Sequence, residues 1–122
     1  MSTIILKDNL EFFEMIKDFI LKNEQMLPFK SYKKPKELLH DLKADKIKAD
    51  LLIIDIEEKR FDEIVFVKKL QILNKNIQII IISSCRDRAV EAFKINALDY
   101  LLKPLSRKRL KKTAKKVEEL NR

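Results

Sequence analysis

The chain of 122 residues contains no glycine, one cysteine (Cys85) and one histidine (His40). Loops that cradle phosphates on Gly-x-Gly-x-x-Gly or Gly-x-x-x-x-Gly-Lys-Ser/Thr need bare backbone where a Cβ would clash, so Walker-type and dinucleotide-type binding are excluded. A single cysteine forms no internal disulfide, and one cysteine with one histidine assembles no Cys/His zinc site. No apolar run approaches the roughly 18–20 residues of a membrane span. The start, Met1-Ser2-Thr3-Ile4-Ile5-Leu6-Lys7-Asp8, lacks a basic segment leading into a secretory apolar stretch. A soluble, cytoplasmic protein without membrane partners is expected.

What is present suits one folded module. The length matches a single domain of about 100–150 residues, so residues 1–122 are expected to form one domain, and a two-domain enzyme with its own substrate lobe is excluded. Hydrophobic residues make up 46% and charged residues 38%, enough to bury a core without a disordered composition. The net charge is +8, and residues 1–60 hold twelve basic and twelve acidic residues, so the whole excess lies beyond them. Lys103, Arg107, Lys108, Arg109, Lys111, Lys112, Lys115 and Lys116 follow one another with no intervening acid. Such a stretch suits phosphates, acidic protein or an anionic membrane. With no aromatic interleaved to stack on bases, a solvated helix face is the simpler reading.

The apolar pattern gives the architecture. Leu51–Ile54 and Ile77–Ile82 are nearly continuous aliphatic runs, as in strands of a parallel sheet covered on both faces. Thr3–Leu6 and Leu98–Leu102 read as further strands, and Met26–Tyr32, interrupted by Pro28, as a weaker edge strand. Helical periods lie between them: Phe13, Ile16 and Ile20; Leu38, Leu39 and Leu42 after Pro35; Ile64, Val67 and Leu70. A fourth helix is expected over Arg86–Ile95 on Ala89, Val90 and Phe93, and a last one from Ser106 as N-cap, burying Leu110, Ala114 and Val117. Strand and helix alternate five times, the pattern of a parallel α/β sheet with right-handed crossovers.

Ligand sites in open α/β sheets lie beyond the carboxyl ends of the strands. Those ends carry Lys7 and Asp8, Asp55, Ser83 and Ser84, and Lys103. Two carboxylates from neighbouring strands suit a hard cation such as Mg²⁺, and a lysine with hydroxyls suits phosphoryl oxygens. Asp55 then serves as a nucleophile forming an aspartyl phosphate. Each residue alone also reads as an ordinary loop residue; four strand ends supplying compatible groups make chance the weaker account.

Here a resemblance becomes specific. Ala89-Val90-Glu91-Ala92-Phe93-Lys94-Ile95-Asn96-Ala97-Leu98-Asp99-Tyr100-Leu101-Leu102-Lys103-Pro104 is similar to receiver domains of bacterial two-component response regulators, most of all those of the LytTR class, whose output domain binds DNA. Asp50-Leu51-Leu52-Ile53-Ile54-Asp55-Ile56-Glu57 resembles the strand that carries the phosphorylated aspartate. The resemblance implies a flavodoxin-like (βα)5 fold, with sheet order 2-1-3-4-5 and helices on both faces. It implies that Asp55 accepts phosphate from a histidine kinase, and that Asp8, the Asp55 carboxylate and the Glu57 carbonyl hold Mg²⁺. Lys103 would pair with the phosphoryl group, Ser84 would meet it through its backbone N–H, and Ser83 and Tyr100 would form the switch. Such a module catalyses only its own phosphoryl transfer and hydrolysis. Its expected output face, made by the fourth helix, fifth strand and fifth helix, is where a homodimer would form. DNA would be met only through a separate output domain.

Several residues depart from the family pattern. Lys7 stands in place of the first member of an acidic pair, which removes a negative charge, adds a positive one and weakens divalent cation binding. Glu58-Lys59-Arg60 replaces a Met-Pro-Gly-like turn, and Glu63 and Asn96 stand where glycine is usual; Asn accepts a left-handed backbone. Glu57 and Cys85, two residues beyond Asp55 and Ser83, would overlook the phosphoryl group. Cys85 and His40 read as plain loop and surface residues, and Phe12, Phe13 and Phe19 as core. Two alternatives stand beside a phosphorylated receiver: a phosphorylation-independent interaction module of the same fold, and a small basic nucleic-acid binder using Lys103–Lys116.

Overall fold

The computed structural model describes residues 1–120. Its elements run β1 (Thr3–Lys7), α1 (Phe13–Leu21), β2 (Phe29–Tyr32), α2 (Pro35–Lys43), β3 (Leu51–Asp55), α3 (Glu63–Leu73), β4 (Gln78–Ser83), α4 (Ala89–Lys94), β5 (Asp99–Leu102) and α5 (Arg107–Glu119). The five strands are parallel and ordered β2-β1-β3-β4-β5.

Side chains of a strand alternate between the two faces, and both faces here are covered. Ile4, Leu6, Leu52, Ile54, Ile79 and Ile81 pack under α2 and α3 together with Ala92 of α4. Ile5, Leu51, Ile53, Ile80 and Ile82 pack under α1 and α5 through Ile16, Phe19, Ile20, Leu110 and Val117. That double covering is why the strand sequences are unbroken aliphatic runs. Helix starts are set locally: Pro35 opens α2, the Asp62 carboxylate accepts from the Ile64 and Val65 N–H groups, and Ser106 Oγ accepts from Arg109 N–H.

Two elements differ from the sequence expectation. Met26 is not in a strand but in a 3₁₀ turn over Glu24–Met26, and β2 begins only after Pro28, whose carbonyl accepts from Thr3 N–H. The fourth helix is shorter than Arg86–Ile95 because Arg86–Arg88 wind as 3₁₀. Within α4, Ala92 is the buried residue, with Ala89 and Ile95 partly buried beside it, while Val90 and Phe93 face outward at 65% and 50% exposure.

With no glycine available, ordinary residues occupy the left-handed positions: Phe12 at φ 59°, Asp45 at φ 54° and Asn96 at φ 64°. Phe19 is buried, and Phe12 and Phe13 are partly buried against the same cluster.

Candidate functional site

Register builds the site. In the β1–β3 ladder Lys7 lies directly opposite Asp55, the last residues of their strands. Lys7 continues the face of Ile5, Asp55 that of Ile53, and Lys103, just past β5, that of Leu101, so all three side chains project on the α1/α5 side. Lys103 N–H donates to Ser83 O at 2.9 Å, extending the β4–β5 ladder by one bond and holding Lys103 beside the end of β4. Lys103 leads into Pro104 through a cis peptide.

These placements produce a buried ion cluster. The Asp55 side chain is 1% exposed. Its Oδ2 accepts from the Lys7 ammonium, which is itself 2% exposed, and its Oδ1 lies 2.8 Å from Lys103 Nζ. Lys7 Nζ also donates to Asn9 Oδ1 at 2.9 Å. Lys103 in turn meets the Glu57 carboxylate and, at 3.6 Å, Glu11. Burial opposes the charge on Lys103, but hydrogen bonds with Asp55 and Glu57 outweigh it and hold its pKa above the ordinary lysine value.

Asp55, Ile56, Glu57, Ile82, Ser83, Ser84 and Lys103 line a cleft of about 330 Å³. The cleft gives the carboxylate an approach from solvent despite its low exposure. Ser83 Oγ accepts from Cys85 N–H at 3.0 Å, ordering the loop after β4. Tyr100 is buried, and its hydroxyl donates to the Cys85 carbonyl in that loop. Burial raises the Tyr100 pKa, and a hydrogen bond with Ser83 works against the shift. The structure thus brings Asp55, Lys103, Ser83 and Ser84 together, while Tyr100 packs in the core on the opposite face of the sheet and meets the site only through the loop after β4. Cys85 and His40 are exposed.

Asp8 is placed differently from the expectation. Its carboxylate accepts from Glu57 N–H at 3.0 and 3.2 Å, from Glu58 N–H at 3.1 Å and from the Asn9 amide at 3.0 Å. Partial burial works against its ionisation, but these donors outweigh that and hold the carboxyl below the usual aspartate range. Asp8 thereby fastens the β3–α3 loop to the end of β1.

The Mg²⁺ implied by the resemblance does not fit the residues present. The expected ligands are the Asp8 and Asp55 carboxylates and the Glu57 backbone carbonyl; among the described residues no third acidic, His or Cys side chain joins the two carboxylates in a metal-holding group. Of the two carboxylates, Asp8 is committed to backbone N–H groups and Asp55 Oδ2 to an ammonium. Mg²⁺ demands several oxygen ligands in near-octahedral array, and a fixed positive charge at the nearest carboxylate repels a dication.

Sequence reading did not find Asn9 and Glu11 as partners of the two lysines, nor a second ion cluster under α5. There Asp99, fully buried, accepts from Arg109 at 2.7 and 3.0 Å and from Thr113 at 2.8 Å, with Lys116 Nζ at 3.2 Å. Burial disfavours the Asp99 carboxylate, yet these donors outweigh it and lower its pKa. Lys103, Arg109 and Lys116 are therefore tied to buried carboxylates and Arg107 to Asp18, which divides the basic stretch proposed to meet nucleic acid.

A model of the family described as response regulator receiver domain matches residues 4–115. Transcriptional regulatory protein ZraR of Salmonella typhimurium is 42% identical over 69 residues, 55% of this chain and 16% of that protein. Sensory transduction protein LytT of Bacillus subtilis is 35% identical over 78 residues, 62% of this chain and 31% of that protein. The chain thus spans less than a third of the length of either relative. The crystal structure of the response regulatory domain of protein mrkE from Klebsiella pneumoniae superposes with a TM-score of 0.84 at 24% identity, covering 98% of this chain and 97% of that one. A two-component response regulator from Clostridium difficile gives a TM-score of 0.78 at 19% identity, over 100% and 99% of the two chains. At these identities the structural likeness speaks to the fold alone.

Proposed function

The chain belongs to the response regulator receiver domain family of two-component systems, and from that premise we propose that Asp55 accepts a phosphoryl group from a histidine kinase. The observation that carries this reading is the Asp55 carboxylate opening on a polar cleft, with Lys103 Nζ 2.8 Å from Oδ1 and Ser83 and Ser84 on the wall. Oδ1 attacks phosphorus, an O–P bond forms, and the P–N bond of phosphohistidine breaks with its electron pair passing to the imidazole, which takes a proton from solvent. The ionised carboxylate has no proton to lose. Lys103 offsets the charge developing on the phosphoryl oxygens, and the hydroxyl and backbone groups of Ser83 and Ser84 position them.

Receiver domains generally bind Mg²⁺ at the phosphorylation site, where the dication supplies charge neutralisation; the donors of this chain do not fit it, and the step above uses only Asp55 and its neighbours. The chemistry is confined to the chain's own phosphoryl transfer and hydrolysis. The added charge of about −1.5 to −2 favours the arrangement of Ser83, Tyr100 and the β4–α4 loop that satisfies it best. Output then passes through α4, β5 and α5, with a second copy docking on exposed Val90 and Phe93 and a DNA-binding output domain reading the result.

The test is intact mass after incubation with acetyl phosphate, with and without added Mg²⁺. Under at least one condition the full chain gains one phosphoryl group and Asp55→Ala gains none. Failure under both sinks the reading. One observation favours the second reading, a phosphorylation-independent module: both oxygens of Asp55 already meet ammonium groups, and Tyr100 is already turned inward. That module would bind its partner equally well as Asp55→Ala.

A further inference from the structure

The cation position beside Asp55 is determined by strand register. Residue 7 faces residue 55 across the β1–β3 ladder, so whatever charge stands there is fixed against the carboxylate by the sheet itself. Lys7 fills it with a side chain 2% exposed and two oxygen acceptors, Asp55 Oδ2 and Asn9 Oδ1. It meets Oδ2, whereas Lys103 meets Oδ1. Lys7 lines a separate groove with Asp8, Asn9, Phe13 and Tyr32, and it is not among the residues lining the cleft that holds Ser83, Ser84 and Lys103.

The neighbours fit this arrangement. Asp8, the other acid of the β1 loop, turns to the Glu57 and Glu58 N–H groups, and Asn9 accepts from the ammonium with its carbonyl while donating to Asp8 with its amide. A dication entering beside Oδ2 would have to displace the ammonium from that oxygen, leaving it the neutral Asn9 Oδ1, and detach Asp8 from the β3–α3 loop. A buried ammonium separated from its carboxylate is strongly unfavourable.

We propose that the Lys7 ammonium is the resident cation of the Asp55 site, and that the folded chain binds neither Mg²⁺ nor Mn²⁺ there. The inference rests on the reading of the Asp55 cleft as a receiver site and concerns only its cation. Negative charge placed on Asp55 is met by two ammonium groups, Lys7 at Oδ2 and Lys103 at Oδ1 in the cleft.

The test is a Mn²⁺ titration of the full ¹⁵N-labelled chain, in which paramagnetic broadening marks amides near a bound ion. The wild-type chain should show no selective broadening at Asp8, Asp55, Ile56, Glu57 or Lys103 at millimolar Mn²⁺. Lys7→Asp should show it, with an affinity higher by at least about tenfold. Selective broadening in the wild-type chain overturns the inference. So does a folded Lys7→Asp that stays silent, because the ammonium is then not what keeps the ion out. Should Lys7→Asp fail to fold, Lys7→Met makes the same comparison: gain of broadening supports the inference and silence overturns it. Phosphoryl labelling is not read in this titration, so its outcome is separate from that of the receiver reading.

Discussion

Replacing Asp55 by asparagine keeps the volume and removes one negative charge from between two lysines. Lys7 is left with its ammonium 2% exposed and only neutral acceptors, Asn9 Oδ1 at 2.9 Å and the new amide oxygen. Lys103 keeps the Glu57 and Glu11 carboxylates, so the cost falls mainly on Lys7. Removing one partner of a buried ion pair costs about 3–5 kcal/mol, and the two amide acceptors place this case near the lower end, about 3 kcal/mol. With a urea m-value of about 2 kcal/mol/M, the unfolding midpoint drops by about 1.5 M. Adding Lys7→Met in the Asp55→Asn background removes the stranded charge and should recover most of the loss. The assay is urea unfolding followed by circular dichroism, completed as a double-mutant cycle with Lys7→Met alone. A pocket of crowded carboxylates without Lys7 would gain stability from the same asparagine by relief of repulsion. An Asp55→Asn chain as stable as wild type or more so, or a double variant no better than the single, refutes the reasoning.

Two further outcomes follow from the rest of the fold. Asp45 is exposed and left-handed just past the end of α2, where glycine carries no Cβ penalty. Asp45→Gly should stabilise by about 1 kcal/mol and raise Tm by about 4 °C; an unchanged or lower Tm in calorimetry contradicts this. Asp99, with its pKa held below the ordinary 3.8 by Arg109 and Thr113 against the effect of burial, stabilises the fold at any pH above that unfolded value and loses the contribution as pH falls through the folded one. The stability gap between wild type and Asp99→Asn should be constant from about pH 7 to 5 and close below 3.8; a gap unchanged at acid pH removes the ion cluster as its cause.

Most of the architecture was legible because the strands are covered on both faces and so are written as unbroken aliphatic runs, as in Leu51–Ile54 and Ile79–Ile82. Ser106 as the α5 N-cap was legible for a local reason, since a hydroxyl three residues before a free N–H is sequence-contiguous. The outward turn of Val90 and Phe93 was not, because the i,i+3 pairs Ala89/Ala92 and Val90/Phe93 are both apolar and only packing decides which of them faces the core. At the site, residue types at strand ends gave Asp55, Ser83, Ser84 and Lys103. The consequences of Lys7 needed register: only the pairing of residue 7 with residue 55 shows that its ammonium meets Oδ2. The Asp99 cluster was hidden because its partners lie on α5, and Lys116 had read as solvated surface.

A charge carried on the backbone's own side chain behaves unlike one borrowed from solution. Lys7 is present at one equivalent per molecule, it cannot be stripped by a chelator, and its occupancy does not follow the ionic content of the surroundings. Electrostatic balance around Asp55 is thus written at translation and persists until the β1–β3 ladder itself comes apart.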